Sequence, residues 1–333
     1  MKVLLTGGAG YIGSTTATAL EQAGHVPVVL DSLVRGPRAF VGDRIFYQGD
    51  VGDAVLVRKI VDEHPDIDAV VHMAALIEVP ESVREPARYY RENVAASLEL
   101  AAALAEHGPR RLLFSSSAAV YAPADDFEVH EDSPLAPASP YARTKRMMEE
   151  VLADVAASSD LRVVSLRYFN PIGAAPDLSS GMHARTPSHV LGQLVLAARG
   201  QIDAFRLTGT DLPTRDGSGL RDFVHVWDLA RAHVRAIEAF DDLATDDRPT
   251  TTLNLGTGRG TTVRELVAAF EHVTGMSVPL READPRPGDL VGAFANVDRA
   301  TALLDWRAEL SLEDGIDSAM AWARHRHAVL GYA

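Results

Sequence analysis

A phenol and an ammonium stand four residues apart in Tyr141-Ala142-Arg143-Thr144-Lys145, a spacing that puts both on one face of a helix. An ammonium close to a phenol favours the phenolate, which makes Tyr141 a candidate general base and Lys145 the group that tunes it. Lys145 is one of three lysines, with Lys2 and Lys59, against 29 arginines. The run Ser115-Ser116-Ser117 follows a fifth apolar strand-like segment, which would bring hydroxyls to the edge where open α/β sheets bind ligands. A Ser/Tyr/Lys set of this kind suits removal of a carbinol proton while a hydride leaves the same carbon. An amphipathic helix end with a snorkelling lysine would use the same two residues.

A second signal lies at the start of the chain. Gly7-Gly8-Ala9-Gly10-Tyr11-Ile12-Gly13 follows a short apolar run and opens an amphipathic stretch. Glycines at 7, 10 and 13 allow a tight turn, bring backbone N–H groups against a pyrophosphate and let a helix pack on the sheet. A glycine triplet alone also serves any tight strand–helix turn. Here Asp31 closes the second strand candidate 18 residues after Gly13. A carboxylate there accepts from both ribose hydroxyls and repels a 2′-phosphate, so the pattern predicts NAD rather than NADP. Asp50, after the third strand candidate, is a candidate for the adenine side and reads equally well as a turn residue.

These residues need a scaffold, and the apolar pattern provides one. Short runs at 3–6, 26–30, 44–48, 69–72, 111–115 and 162–167 alternate with helical patterns near 12–23, 54–64, 89–107 and 140–157. Continuous Val/Ile/Leu runs suit strands buried on both faces. Right-handed crossovers between them give an α/β fold with a doubly wound parallel sheet. After Asn170 the pattern changes to loops rich in Pro, Ser and Gly, then helices near 188–199, 227–240, 262–274 and 311–326. The expected division is a dinucleotide-binding domain over 1–170 and a smaller α/β substrate lobe over 171–333, with 222–239 returning to the first. Residues 241–249, acidic and aperiodic, read as a surface loop.

Composition narrows the chemistry. Lys+Arg total 32 and Asp+Glu 46, for a net charge of −14. So acidic a chain is a poor binder of nucleic acid, and a phosphorylated ligand would need a local cluster of Arg or backbone N–H groups. The absence of cysteine excludes disulfides, thiolate nucleophiles and Cys-based zinc sites, and no metal is expected. No apolar run approaches the roughly 18 residues of a membrane span. The opening MKVLLTGG reads as a strand, so a cytoplasmic protein without a membrane partner is expected.

The motifs together resemble the extended short-chain dehydrogenase/reductase family and, within it, the UDP-glucose (UDP-galactose) 4-epimerases. Those that carry the resemblance are the glycine segment 7–13, Phe114-Ser115-Ser116-Ser117, Ser139-Pro140-Tyr141 with Lys145, and Arg167-Tyr168-Phe169-Asn170-Pro171. Asp222-Phe223-Val224-His225-Val226 with Asp228, Asn254-Leu255-Gly256-Thr257-Gly258 and Arg286-Pro287-Gly288-Asp289 follow in the family's order over nearly the whole chain. The resemblance implies a Rossmann domain holding NAD through Gly7, Gly10, Tyr11, Ile12, Gly13, Asp31, Ser32, Asp50 and Val51. Met73, Ala74, Asn93, Ser115, Tyr141, Lys145 and Tyr168 would complete that site. It implies that Tyr141 takes the proton of the sugar O4, Lys145 lowers the Tyr141 pKa and holds the nicotinamide ribose, and Ser117 hydrogen-bonds O4. The 4-keto sugar then turns and takes the hydride back on its other face. Asn170, Ser188, His189, Arg221, Arg286, Asp289 and Ala293 would meet the UDP-sugar. Relatives of this kind also imply a homodimer through the helices at 89–107 and 140–157.

Several positions depart from the family. Ala118-Ala119 stand where nucleotide-sugar dehydratases carry Asp-Glu, which argues against water elimination. Ile77 replaces a lysine near the cofactor, Ser188-His189 replace an Asn pair, and Ala293 replaces a larger residue in the hexose pocket. The leading expectation is therefore interconversion of UDP-glucose and UDP-galactose, with room for the N-acetylated pair. A 4-epimerase of another UDP-sugar, such as UDP-glucuronate met by Arg185 or His189, is the second. A non-catalytic NAD-binding sensor is the third, and the intact Ser117/Tyr141/Lys145 set speaks against it.

Overall fold

The computed structural model describes residues 1–284 and 291–332. Seven strands form one sheet: β1 (Lys2–Thr6), β2 (Val26–Asp31), β3 (Ile45–Gln48), β4 (Ile67–His72), β5 (Arg111–Ser117), β6 (Arg162–Tyr168) and β7 (Thr250–Leu255). Their spatial order is β7-β6-β5-β4-β1-β2-β3, and every neighbouring pair is parallel. The winding reverses between β1 and β4, the switch point at whose carboxyl edge such sheets bind ligands. Six strands fall on the apolar runs. The seventh, Thr250-Thr251-Thr252-Leu253-Asn254-Leu255, carries no continuous apolar run and forms by pairing with β6 from Thr250 opposite Val163 to Leu255 opposite Tyr168.

Side chains alternate between the two faces of the sheet. Val3, Leu5, Val71, Leu113, Leu166 and Leu253 pack under α1 (Tyr11–Gln22) and the return helix Val226–Glu238. Leu4, Val28, Leu30, Val70, Leu112 and Phe114 pack under α2 (Ala54–Glu63), α3 (Ala96–His107) and α4 (Pro140–Ser158). The return to this domain is wider than 222–239. Phe240, Leu243, β7, Ala300, Leu304 and Trp306 share the first of these cores. The expected loop at 241–249 also needs correction at its start. Phe240–Leu243 is a helical turn with both end residues buried, and its Asp241 pairs with Arg111 (2.5 Å) and Arg162 (3.0 Å).

The second lobe has its own core, in which α5 (Val190–Ala198), α6 (Val263–Thr274) and α7 (Leu312–Leu330) bury Leu191, Leu194, Leu266, Phe270 and Ile316 with Phe205. Capping boxes fix where α6 and α7 begin, Thr262 with Glu265 and Ser311 with Asp314. Its four-stranded sheet runs Thr261–Thr262, Leu220–Arg221, Gly292–Ala295, Glu128–Val129. Residues 128–129 therefore join the lobe from the first half, so the chain interleaves the two units in both directions.

Candidate active site

The cofactor-side residues meet at the switch point. Gly7 has φ +73°, and a Cβ on it would lie 2.6 Å from the backbone N of Ala74, so the β1–α1 turn and the end of β4 touch directly. Gly10 precedes α1 as its N-cap, and Gly13 packs against the turn. Asp31 ends β2, where its Oδ2 accepts from the Ala9 N–H (2.9 Å) and its Oδ1 from the Leu33 N–H (2.8 Å). Burial pushes its carboxyl up, and these two backbone N–H groups pull it down. Each oxygen keeps a lone pair for a ribose hydroxyl. A cradle with no room for a Cβ, beside a carboxylate with acceptor capacity to spare, fits NAD. The other expected residues are placed around this cradle in different ways. Tyr11 donates its hydroxyl to the Gly173 carbonyl (2.6 Å), and Ile12 and Met73 pack on the core. The Ser32 hydroxyl accepts from the Val34 N–H (3.4 Å). Val51 is buried, whereas Asp50 is exposed and caps its own turn by accepting from the Gly52 N–H (2.7 Å).

The start of α4 sets the catalytic candidates. Ser139 caps it by accepting from the Ala142 N–H (3.2 Å), and Pro140 takes the first helical position. Tyr141 therefore lies in the first turn, with Lys145 and Glu149 one and two turns on along the same face. Lys145, 5 % exposed, donates its Nζ to the Ser115 carbonyl (2.7 Å) at the carboxyl end of β5. Burial pulls this ammonium down to about 8, against the Glu149 charge that raises it. The Ser117 hydroxyl hydrogen-bonds the Tyr141 phenol and lowers its pKa, but burial outweighs it, and Tyr141 lies above the ordinary tyrosine value. The expected lowering of Tyr141 by Lys145 is thus corrected: the nearest partner of that ammonium is a backbone carbonyl, and desolvation decides the sign. Burial likewise raises Tyr168, which lies close enough to Ser115 and Tyr141 to feel both.

The helix expected at 89–107 is interrupted. Pro86–Tyr90 is followed by a π turn, Arg91–Ala95, before α3. The wider turn releases Asn93 to make contacts outside its own helix. Its Oδ1 accepts from the Leu76 N–H (2.8 Å), and its Nδ2 donates to the Leu76 carbonyl (2.9 Å) and Thr144 Oγ1 (3.1 Å). Asn93 thereby ties the segment after β4 to the residue beside Lys145. Such π turns recur where a helix carries function.

A buried network behind these groups carried no assignment from the sequence. Arg167 on β6 holds Glu149 with two hydrogen bonds (2.8 and 2.7 Å), and Ser116 donates to the same carboxylate (2.5 Å). Arg167 also donates to the Tyr121 hydroxyl, which in turn donates to Asn254 Oδ1 (2.6 Å). The available signals were Glu149 at the next i+4 position after Lys145 and an arginine within an apolar strand. His72 is a second such group, set between Thr6 Oγ1 (2.7 Å) and Ser97 Oγ (2.8 Å). Burial and the Lys145 charge push it down to about 3, so it is neutral.

On the lobe side, Asp222 is the organising residue. It is fully buried and accepts from the N–H groups of Thr257, Gly258 and Ala295 and from the Thr257 hydroxyl. Its own carbonyl accepts from the Asn170 N–H (3.0 Å), and exposed Asn170 pairs in parallel with Phe223, the residue after Asp222. Arg221 pairs across the sheet with Ala293, and its guanidinium donates to the carbonyls of Leu220 (2.7 Å) and Val291 (3.1 Å). The structure thus pairs Arg221 with Ala293 and ties Asn170 to the backbone of Asp222, the residue that follows Arg221. Ser188 donates instead to Glu78 on the opposite domain, and His189 caps α5 and faces a cavity shared with Tyr11. Arg286 and Asp289 lie outside the described residues.

Known proteins match this arrangement. The profile of the NAD dependent epimerase/dehydratase family matches residues 3–256. Over 332 residues the chain is 39 % identical to a UDP-glucose 4-epimerase of Bacillus subtilis (strain 168), covering 97 % of this chain and 96 % of that protein. It resembles the crystal structure of a UDP-glucose-4-epimerase from Stenotrophomonas maltophila with bound NAD and formylated UDP-arabinopyranose. That likeness has a TM-score of 0.93 and 39 % identity, over 98 % of this chain and 99 % of the other. A UDP-glucose 4-epimerase from Bifidobacterium longum in complex with NAD+ and UDP gives a TM-score of 0.90 at 32 % identity, over 97 % and 98 % of the two chains. With its switch-point cradle, its Ser-Tyr-Lys edge and these matches along its length, the chain belongs to the NAD dependent epimerase/dehydratase family.

Proposed function

We propose that this chain is an isomerase that interconverts UDP-glucose and UDP-galactose at C4. The observation that carries the reading is the convergence of Ser117, Tyr141 and Lys145 at the carboxyl end of β5, beside the switch-point cradle. Ser117 and Tyr141 bind the sugar O4, and Tyr141 moves its proton. Lys145, anchored on the Ser115 carbonyl, would hold the nicotinamide ribose at this edge. NAD, when bound, would supply reversible hydride acceptance at C4. Asn170 and Arg221 meet the sugar and diphosphate, and Arg221 gives positive charge to an otherwise acidic chain. A homodimer through α3 and α4 is part of the reading, supported by the exposed apolar Leu98 and Met147 on those helices. The test is incubation with a panel of UDP-sugars without added NADH, reading epimer ratios by NMR. No interconversion of any UDP-sugar would leave an NAD-binding sensor instead.

Asp31 should set the cofactor. Asp31→Ala removes the acceptor for the ribose hydroxyls, and hydrogen bonds to a charged group are worth roughly 1.5–3 kcal/mol. NAD affinity should fall by about 10–100-fold and discrimination against NADP should relax, as measured by titration of the apo-protein. An unchanged NAD:NADP preference would remove Asp31 from this role.

Ala293 bears on sugar size. An overpacked pocket costs about 1–3 kcal/mol, and a methyl here spares a 2-acetamido group that cost. UDP-N-acetylglucosamine should be epimerised within about tenfold of UDP-glucose in kcat/KM, the scale of small pocket differences. Ala293→Tyr should abolish the N-acetylated activity and leave the plain hexose activity largely intact. A wild type that turns over UDP-glucose and leaves saturating UDP-N-acetylglucosamine unchanged would show the pocket closed by other residues.

A further inference from the structure

Three arginines gather on this acidic chain without an acid beside them. Arg185, Arg199 and Arg326 line one cavity between the 182–189 segment, α5 and α7. Among the described residues, none of the three pairs with a carboxylate. Their charges work against one another: burial and the charges of Arg199 and Arg185 hold the Arg326 guanidinium below its usual value. Arg185 and Arg326 lie over the ring of Tyr332 at 4.4 and 5.4 Å, and Tyr332 offsets only part of the downward pull on Arg326.

Two buried donors on residues lining this cavity have no partner. Arg326 is 8 % exposed. Its Nη2 donates to the carbonyls of His183 (3.0 Å) and Ala184 (3.3 Å), while its buried Nε makes no hydrogen bond. His189 accepts from the Gly192 N–H (3.1 Å) through Nδ1, so its neutral ring carries the proton on Nε2. That buried N–H is also unpaired. Buried polar groups are normally satisfied, and N–H donors among guanidinium groups are best satisfied by a negatively charged oxygen. Ile172, Val195, Leu196 and Trp322 make much of the remaining wall apolar, which favours a compact ligand over an extended polar one.

We propose that this cavity binds a small oxyanion, a phosphate or a short carboxylate. The cavity shares Tyr11, Arg185 and His189 with the residues expected at the cofactor and UDP-sugar, but Ser117, Tyr141, Lys145 and Arg221 do not line it, so its occupant would sit apart from the reacting sugar. It adjoins Tyr11, whose hydroxyl holds Gly173, so an occupant rests against the first turn of the helix that follows the glycine cradle.

The test uses the full chain with NAD, titrated calorimetrically with inorganic phosphate or with acetate at constant ionic strength, with and without saturating UDP. One saturable anion site per chain that persists in UDP is the expected result. Arg185→Gln and Arg199→Gln, chosen because Arg326 also holds the 183–184 turn, should each weaken it about tenfold without changing the melting profile. Binding of phosphate alone, acetate alone or both supports the site and identifies the headgroup it takes. Absence of both anions from the UDP-saturated protein, competition with UDP, or affinity unchanged in both variants would overturn it. These readouts do not depend on sugar epimerisation, so loss of the proposed activity and loss of this site are separately visible.

Discussion

Tyr141→Phe should lower kcat for UDP-glucose epimerisation by about 10²–10⁴-fold, the range spanned by single general acid–base groups. The substitution keeps the ring that packs at the start of α4 and removes only the hydroxyl that Ser117 engages. NAD affinity should therefore survive, and the loss should fall on kcat rather than KM, the signature of an interaction made in the transition state. The pH dependence follows from the direction of the Tyr141 shift. Burial favours the phenol and the Ser117 hydrogen bond favours the phenolate, and a base works only when deprotonated. Activity should rise with pH on the acid limb, and Ser117→Ala should move that limb to higher pH. A Tyr141→Phe variant that keeps more than a tenth of wild-type kcat would remove Tyr141 from proton transfer.

The catalytic edge and the sheet that positions it were legible for different reasons. Ser115–Ser117, Tyr141 and Lys145 are marked by residue type and spacing, and the helix that carries two of them has its own start signal in Ser139-Pro140. Strands buried on both faces leave continuous apolar runs, so β1 to β6 could be read directly. β7 could not, because its three threonines carry no such run and the pairing with β6 is nonlocal. The same limit hid Glu128–Val129, whose sheet partner Phe294-Ala295 is more than 160 residues away.

Charge effects at the site were less legible than positions. Spacing put an ammonium near Tyr141, but the sign of the shift depends on how far burial outweighs the hydrogen bond, a three-dimensional quantity. The lobe residues show a related limit. Ser188 and His189 are adjacent in sequence, yet one hydroxyl bridges to Glu78 on the other domain and the other ring caps α5. In the sequence Asp222 stands out only as part of a motif. Its part in joining β7's following turn to the strand 292–295 emerges from four acceptor contacts that no local pattern encodes.

The largest stability effect should come from Arg167. It is 4 % exposed and meets Glu149, 9 % exposed, in a two-point contact, while its Nη1 serves the Tyr121 hydroxyl and the Glu131 carbonyl at 3.0 Å each. Burial alone would lower this guanidinium, but the Glu149 hydrogen bond and charge outweigh it and raise its pKa. Arg167→Met leaves the Glu149 carboxylate buried, supported by Ser116 and by Arg146 at 3.7 Å. Breaking one side of a buried pair typically costs about 3–5 kcal/mol, because the remaining charge stays desolvated. Urea denaturation should show a loss of that order, and Arg167→Met with Glu149→Met together should recover much of it, since replacing both partners removes the stranded charge. The variant also alters the catalytic edge, because Glu149 lies one turn beyond Lys145 and Ser116 joins it to β5. A loss below about 1 kcal/mol, the scale of an exposed pair, would show that water reaches Glu149 and that this network does not stiffen the floor under Tyr141 and Lys145.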